Sequence, residues 1–236
     1  MRVIDVSATS GFKWIAEAFV MFRAQPLAWI SLTSGWLLAS LLMLLVPLVG
    51  APLMSVAQPG FFAGFVIACR DQEMGKPVST SHLLAGFRLN GRPLIHVGSV
   101  SLLAESAVAL TIGMLGFFDA LKGFNQTPSV EALSAAVSSV GGLWFVAVVA
   151  MLLIKGVFWF TAGIMAHEPM PAPHAIRWSF FALVANFIPL AVFGALMMGL
   201  FFAALVPWGL GLLLFVPIYA ICHYTSFKSV FRADAG

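Results

Sequence analysis

Two stretches of this chain, residues 24–69 and residues 178–227, contain no Asp, Glu, Lys or Arg. Each is too long for one crossing of a bilayer, whose apolar core of about 30 Å takes roughly 20 helical residues, and each has the length of two. That pattern leaves few folds open, because in hydrocarbon every backbone N–H and C=O must be satisfied within the protein. Of the 236 residues, 61% are hydrophobic and 9% charged, against about 25% charged in a soluble domain. Mean hydropathy is +1.01. The expected fold class is all-α: a polytopic membrane helix bundle, one integral domain over residues 1–236, with six transmembrane helices and short amphipathic helices at the interface.

Apolar runs and helix breakers place the spans at about residues 27–46, 53–69, 93–118, 141–166, 181–206 and 210–227. Pro47, Gly50 and Pro52 mark the first reversal, and Pro207 and Gly209 the last. Gln58, Pro59 and Gly60 predict a kink or broken turn in the second span. Gly60 and Gly64 form a small-xxx-small face suited to close helix approach. An interfacial helix is expected over residues 10–24, with Ile15, Ala18, Phe19 and Phe22 on its apolar face and Trp14 and Trp29 as headgroup-level anchors. A second follows the caps Ser79 and Thr80, with Leu83, Leu84 and Phe87 toward lipid. A third runs from Thr127 and Pro128 through Glu131 to about Ser138.

Three Pro-Leu steps, Pro26-Leu27, Pro93-Leu94 and Pro189-Leu190, each follow an amphipathic approach and precede a returning span. They fit three hairpins related by an internal repeat. The alternative is that each proline only marks a helix start, where its missing N–H costs nothing.

If the N-terminus is cytoplasmic, the inner segments hold Arg2, Lys13, Arg23, Arg70, Lys76, Arg88, Arg92, Arg177, Lys228 and Arg232, and the outer loops hold Lys122. Basic residues stay on the cytoplasmic side during insertion, so both termini are expected there. The net charge of +3 points to the lipid bilayer and its anionic headgroups, met by Arg23, Arg70, Lys76, Arg88, Arg92, Arg177 and Lys228, rather than to nucleic acid. Cys69 and Cys222 fall at cytoplasmic span ends and read as thiols. The first 25 residues include Asp5 and Glu17 and lack the compact apolar core and small-residue cleavage site of a removable signal peptide.

Deep inside the spans the charged residues are Glu105 and Lys155, both about 17 Å from the inner ends at 1.5 Å per residue. Each costs about 2.5–3.5 kcal/mol at a helix centre, which mutual pairing or protonation of Glu105 would relieve. They are either a structural pair between the third and fourth spans or an ion or proton site. Gln58 and Asn186 are candidates for hydrogen bonds across helices. His167 and His174 flank Glu168, Pro169, Pro171 and Pro173, unlike the i, i+4 pair of a helical zinc motif, so no metal is expected, and no cofactor. Phosphate-loop, dinucleotide and nucleophile-elbow motifs are missing from the sequence, which argues against an enzyme.

Three stretches carry a resemblance: Gly11-Phe12-Lys13-Trp14-Ile15 continuing to Phe22-Arg23-Ala24-Gln25-Pro26-Leu27; Ala68-Cys69-Arg70-Asp71 with Gly75-Lys76-Pro77; and Tyr224 to Phe231. Together they resemble a family of proteobacterial six-span inner-membrane proteins named after a Burkholderia locus, a family with no settled activity. The segment around Ser179, Ala182 and Asn186 is similar, more distantly, to a helix of YciC-like proteins and of the membrane domain of some glycerophosphodiesterases. Phe227-Lys228-Ser229 stands where the family has Tyr-Arg-Asp. The resemblance implies a bacterial inner-membrane location and supplies no catalytic residues. The expected function is that of a non-enzymatic accessory, assembly or scaffold subunit working through helix contacts with a membrane protein partner or further copies of itself. The loops at 70–92 and 119–139 are too short for a separate catalytic domain. The alternative is a small transporter or channel whose polar site is made by Glu105, Lys155, Gln58 and Asn186.

Overall fold

In the computed structural model, which describes residues 1–115 and 129–232, helices stop three times at a carboxamide residue just ahead of a proline. β1 (Arg2–Val3) leads to α1 (Ser10–Ala24), which breaks at Gln25 before α2 (Pro26–Leu44), and the chain returns as α3 (Gly50–Glu73). A 3₁₀ turn (Thr80–Leu84) opens α4 (Ala85–Met114), itself interrupted at Asn90. α5 (Val130–Phe158) and α6 (Thr161–His167) come back. α7 (Ala172–Ala185) breaks at Asn186 before α8 (Phe187–Leu205), and α9 (Leu212–Val230) runs into β2 (Phe231–Arg232). Backbone angles at the breaks are alike: φ −142°, ψ 60° at Gln25; φ −151°, ψ 45° at Asn90; φ −119°, ψ 35° at Asn186. Proline explains them. The rings of Pro93 and Pro189 oppose the carbonyl four residues back, and Pro26 drives the residue before it out of the α region.

The likeness between the first and third hairpins goes further. α1 buries Gly11, Trp14, Ala18 and Phe22, and α7 buries Ala172, Ala175, Ser179 and Leu183, each set at the same distances ahead of its break. At the hairpin tips Pro47 precedes Leu48 with φ 65°, and Pro207 precedes Trp208 with φ 56°. Both are left-handed residues with a Cβ, an uncommon arrangement. Gly50 lies against the backbone of Met43, and Gly211 against that of Ala204, in each case too close for a side chain. The reversal between α4 and α5 lies outside the described residues, as do Lys122 and the proposed cap at Thr127 and Pro128.

The chain divides into two compact units, one of Met1–Ser99 with Gly156–Gly236 and one of Val100–Lys155. At the centre of the first is α9, buried from Pro217 to Phe227 apart from Tyr219 and enclosed by α1, α2, α3, α6 and α8. α1 packs along it: the Thr225 hydroxyl donates to the Trp14 carbonyl at 2.9 Å. Trp14 and Trp29 are 1% and 0% exposed, so they are core residues rather than headgroup anchors. Of the apolar stripe of residues 10–24, Ala18 and Phe22 are buried where α1 packs on α9 and α8, while Phe19 stays exposed. Phe87 likewise turns inward, its ring lying against Gly60 and 5.2 Å from that of Phe61.

Glycine makes the α3–α4 contact possible. Gly60 and Gly64 face Phe87 and the His82 carbonyl, Gly86 faces the Gly60 carbonyl, and Gly98 faces the backbone of Val56, all at distances a Cβ would violate. α3 itself continues through Gln58, Pro59 and Gly60 as one helix with Pro59 inside it, so of the expected kink or broken turn the broken turn is not formed.

The second unit contains the C-terminal part of α4 and most of α5. Glu131–Ser138 is continuous with the fourth span, not a separate interfacial helix. Leu103, Leu110, Phe145, Val146 and Leu152 point outward.

Five helical segments are long and apolar enough to cross a membrane: Pro26–Leu44, Gly50–Glu73, Thr80–Met114, Gly141–His167 and Phe187–Leu205. α9 occupies the sixth expected span, but His223, Tyr224, Thr225, Ser226 and Lys228 lower its hydropathy. Two expected spans differ in outline. The span at 141–166 is interrupted at Trp159 and Phe160, and that at 181–206 starts at Phe187, its first residues belonging to α7. Around the buried polar centre, Leu37, Leu38, Leu41 and Leu42 on α2 and Met198 and Phe202 on α8 are exposed, the arrangement hydrocarbon surroundings require.

Chain ends meet. Arg2 pairs with Arg232 and Val3 with Phe231 in an antiparallel ladder, extended by Ile4 N–H donating to the Val230 carbonyl at 2.9 Å.

Replacing Gly98 with Val, against the Val56 backbone, is expected to destabilise the protein by about 1–3 kcal/mol. Gly91, which meets nothing within 4 Å, should tolerate Ala, with a gain of up to about 1 kcal/mol. Reversible unfolding in mixed micelles measures both; equal losses at the two positions would refute the close-approach account.

Candidate functional site

Backbone groups outside the regular helices need partners, and polar side chains at two of the helix breaks, with Ser179, supply several of them. Asn186, 0% exposed, accepts from Val6 N–H through Oδ1 at 2.9 Å and donates through Nδ2 to the Ile4 and Ala182 carbonyls at 3.0 and 3.2 Å. Its carboxamide is saturated and ties the N-terminal segment to the α7–α8 break. Gln25 does the same on α1: Oε1 accepts from Val78 N–H at 2.9 Å and Nε2 donates to the Lys76 carbonyl at 3.4 Å. At the α5–α6 interruption the Phe160 N–H donates to the buried Ser179 hydroxyl at 3.1 Å.

A second layer of polar contacts closes the end of α3. The Trp29 indole donates to Gln72 Oε1 at 2.8 Å, and Gln72 Nε2 donates to the Met21 carbonyl at 2.8 Å. The Tyr224 hydroxyl and the Lys228 ammonium both donate to Glu73, at 2.7 Å each. His82 receives the Ser79 N–H on Nδ1 at 3.1 Å, which places its proton on Nε2, 3.2 Å from Asp71. Lys76 pairs with the same Asp71 at 3.2 Å. Deeper in, the Trp159 indole donates to Ser226 and His223 donates through Nδ1 to the Trp159 carbonyl at 3.2 Å, its ring stacked 3.7 Å from Trp159.

In the second unit, Lys155 Nζ donates to Glu105 Oε1 at 2.6 Å, and the Ser101 hydroxyl donates to the same oxygen at 2.8 Å. Glu105 is mostly covered and Lys155 half-exposed. The pair neutralises the two charges where each alone would be costly. Gln58, half-buried on α3, and Asn186 belong to the first unit, so the four polar residues singled out from the sequence are divided between the two units.

The basic residues differ in what they hold. Lys76 and Lys228 have carboxylate partners; Arg23 lies 5.8 Å from the Phe19 ring and Arg177 5.5 Å from that of Phe181. Arg70 keeps a buried Nε with no partner among the described residues. Arg88 is exposed and Arg92 lies beside the Asn90 break. Cys69 and Cys222 are buried free thiols. Among the described residues His, Cys, Asp and Glu nowhere gather in groups of three able to hold a metal.

The sequence reading missed Gln25, Gln72, His82 and Ser179. A signal was present for part of this: Asn90-Gly91-Arg92-Pro93-Leu94 and Asn186-Phe187-Ile188-Pro189-Leu190 share one Asn-x-x-Pro-Leu pattern. Gln72 and Ser179 carry no such mark, since their partners lie far off in sequence.

Exchanging Asn186 for Leu leaves the Val6 N–H and Ile4 C=O without this partner and is expected to cost about 1–3 kcal/mol. Limited proteolysis of the first ten residues, together with unfolding in micelles, reads out the loss; unchanged protection of that segment would contradict the assignment.

No family model matches the chain, and no solved structure matches it. It is 32% identical over 203 residues to a "Probable inner membrane protein" of Burkholderia thailandensis, an alignment covering 83% of this chain and 75% of the relative.

Proposed function

The chain belongs to the inner-membrane protein family of that Burkholderia relative, and within it we propose a non-enzymatic accessory, assembly or scaffold subunit that works through helix–helix contacts. The observation that carries this reading is where the polar groups are spent. Asn186, Gln25, Gln72, Ser179, Glu73 and the Glu105–Lys155 pair are each bonded to backbone or to another side chain of the protein. Such use of polar side chains serves packing. The outward faces offer apolar side chains to lipid and to a membrane protein partner or a second copy.

Charge and the paired chain ends support the orientation. Arg2, Lys13, Arg23, Arg70, Lys76, Arg88, Arg92, Arg177, Lys228 and Arg232 lie on the proposed inner side, where cations are retained on insertion. The β1–β2 ladder keeps the two termini on one side, which this reading takes as cytoplasmic. Arg23, Arg88, Arg92 and Arg177 are the best placed to meet anionic headgroups, because Lys76 and Lys228 already have partners.

One observation favours the transporter or channel reading: an ionisable pair, Glu105 and Lys155, within an apolar hairpin. Glu105→Gln separates the two. A scaffold shows no ion or proton flux in liposomes above empty vesicles, and the substitution changes only stability or retention of a stoichiometric companion during gentle extraction. A wild-type flux abolished by Glu105→Gln in a still-folded protein would establish transport instead. For orientation, thiols introduced at Arg2 and Arg232 should react only from the cytoplasmic side, and thiols at Leu48 and Trp208 only from the outer side; labelling of positions 2 and 232 from opposite sides would overturn it.

A further inference from the structure

The two closed carboxamide contacts obey one rule. Gln25, at the end of the first approach helix, holds Lys76 C=O and Val78 N–H, the extended segment leading into the second approach helix at Thr80. Asn186, at the end of the third, holds Ile4 C=O and Val6 N–H, the segment leading into the first approach helix at Ser10. In both cases the carboxamide bonds the carbonyl of one residue and the amide of the residue two further on, as a strand residue does in a parallel ladder. The connections run in cyclic order: first break to second segment, third break to first segment.

That order has a missing member. The second break, Asn90, should hold the segment leading into the third approach helix, α7, which is residues 168–170. Asn90 has the same backbone deviation as the other two and the same spacing to its proline as Asn186. Its Nδ2 is buried and has no hydrogen-bond partner among the described residues. The Glu168 C=O and Met170 N–H, the groups the rule would place opposite it, are likewise bonded to no described residue. Pro169 between them matches Pro77 between Lys76 and Val78. A buried amide donor without a partner costs about 1–3 kcal/mol, which gives this contact a driving force to form.

We propose that Asn90 and residues 168–170 are the two halves of a third clamp, open in this structure, and that the protein has a second state in which the Asn90 carboxamide holds Glu168 C=O and Met170 N–H. The first and third clamps stay closed in both states, so the chain carries one switchable contact among three equivalent ones. A partner subunit that favours either state would thereby be coupled to the conformation of the α6–α7 connection.

Cross-linking tests this in native membranes. Ala24→Cys with Val78→Cys is the internal standard, two positions beside a closed clamp whose carboxamide is kept. A short bifunctional thiol reagent that links the standard should also link Leu89→Cys with Met170→Cys, at a lower yield set by the closed fraction. That yield should fall several-fold when Asn90→Ala is added. A linked standard with an unlinked Leu89–Met170 pair would overturn the proposal, as would a yield unchanged by Asn90→Ala. Amide exchange of the otherwise wild-type protein guards against cysteine variants that fail to fold. Met170 lies between Pro169 and Pro171, so its amide is isolated in a short peptide. Its exchange should be slowed several-fold relative to the Asn90→Ala variant; identical, unprotected rates in the two proteins would sink the idea.

Discussion

Everything in this fold turns on one constraint: a chain with so few charges and so much apolar surface must satisfy its own backbone wherever a helix is interrupted. Hydrocarbon offers no hydrogen bonds, so a broken turn is tolerated only where side chains or neighbouring backbone take over. Ser179 does this for the Phe160 N–H and Asn186 for the Ala182 carbonyl, while the carboxamides of Gln25 and Asn186 also bond backbone groups of extended segments that belong to no helix. The interruptions at Gln25 and Asn186 are therefore joints, each fixing the start of a transmembrane helix to a segment remote in sequence. Asn186 joins residues separated by 182 positions and so closes the chain on itself beside the β1–β2 ladder.

The same constraint explains why α9 is enclosed. A helix bearing His223, Tyr224, Thr225 and Ser226 is a poor neighbour for lipid, and it is surrounded by α1, α2, α3, α6 and α8. Aromatic rings from Phe62, Trp159 and Tyr219 surround His223. The more apolar helices take the outside. An amphipathic α1 read alone looks like a helix resting in headgroups, yet it packs along α9, and Gly11 lets it lie against the α8 backbone at Pro189 and Phe193.

Much of this architecture is legible in the sequence, and the rest is not for identifiable reasons. Uncharged runs and Pro-Gly clusters locate the hairpins because lipid thickness fixes helix length. The Gly60–Gly64 face signals a close approach because only a missing side chain permits one. The Pro-Leu steps mark the breaks before Pro26, Pro93 and Pro189, since proline acts on the turn before it, whereas Pro59 breaks nothing and the interruption at Trp159 and Phe160 has no proline to announce it. What Asn186 binds is not legible: hydrogen-bond partners 180 residues away leave no local trace. Nor does the sequence distinguish a tryptophan at the headgroups from one in the core; Trp29 is decided by Gln72, which lies on another helix. Glu105 and Lys155 could be matched by depth, and the structure joins them at 2.6 Å.

For a membrane protein this design concentrates specificity in a few joints and leaves broad apolar faces to lipid. The central claim is that side-chain clamps at the interruptions satisfy backbone groups that no regular helix does, and amide exchange of the protein in lipid nanodiscs measures that most directly. Val6, Val78 and Phe160, none of them inside a regular helix, should exchange as slowly as amides in the middle of α3. Exchange of all three at the rate of an unstructured loop would contradict the account.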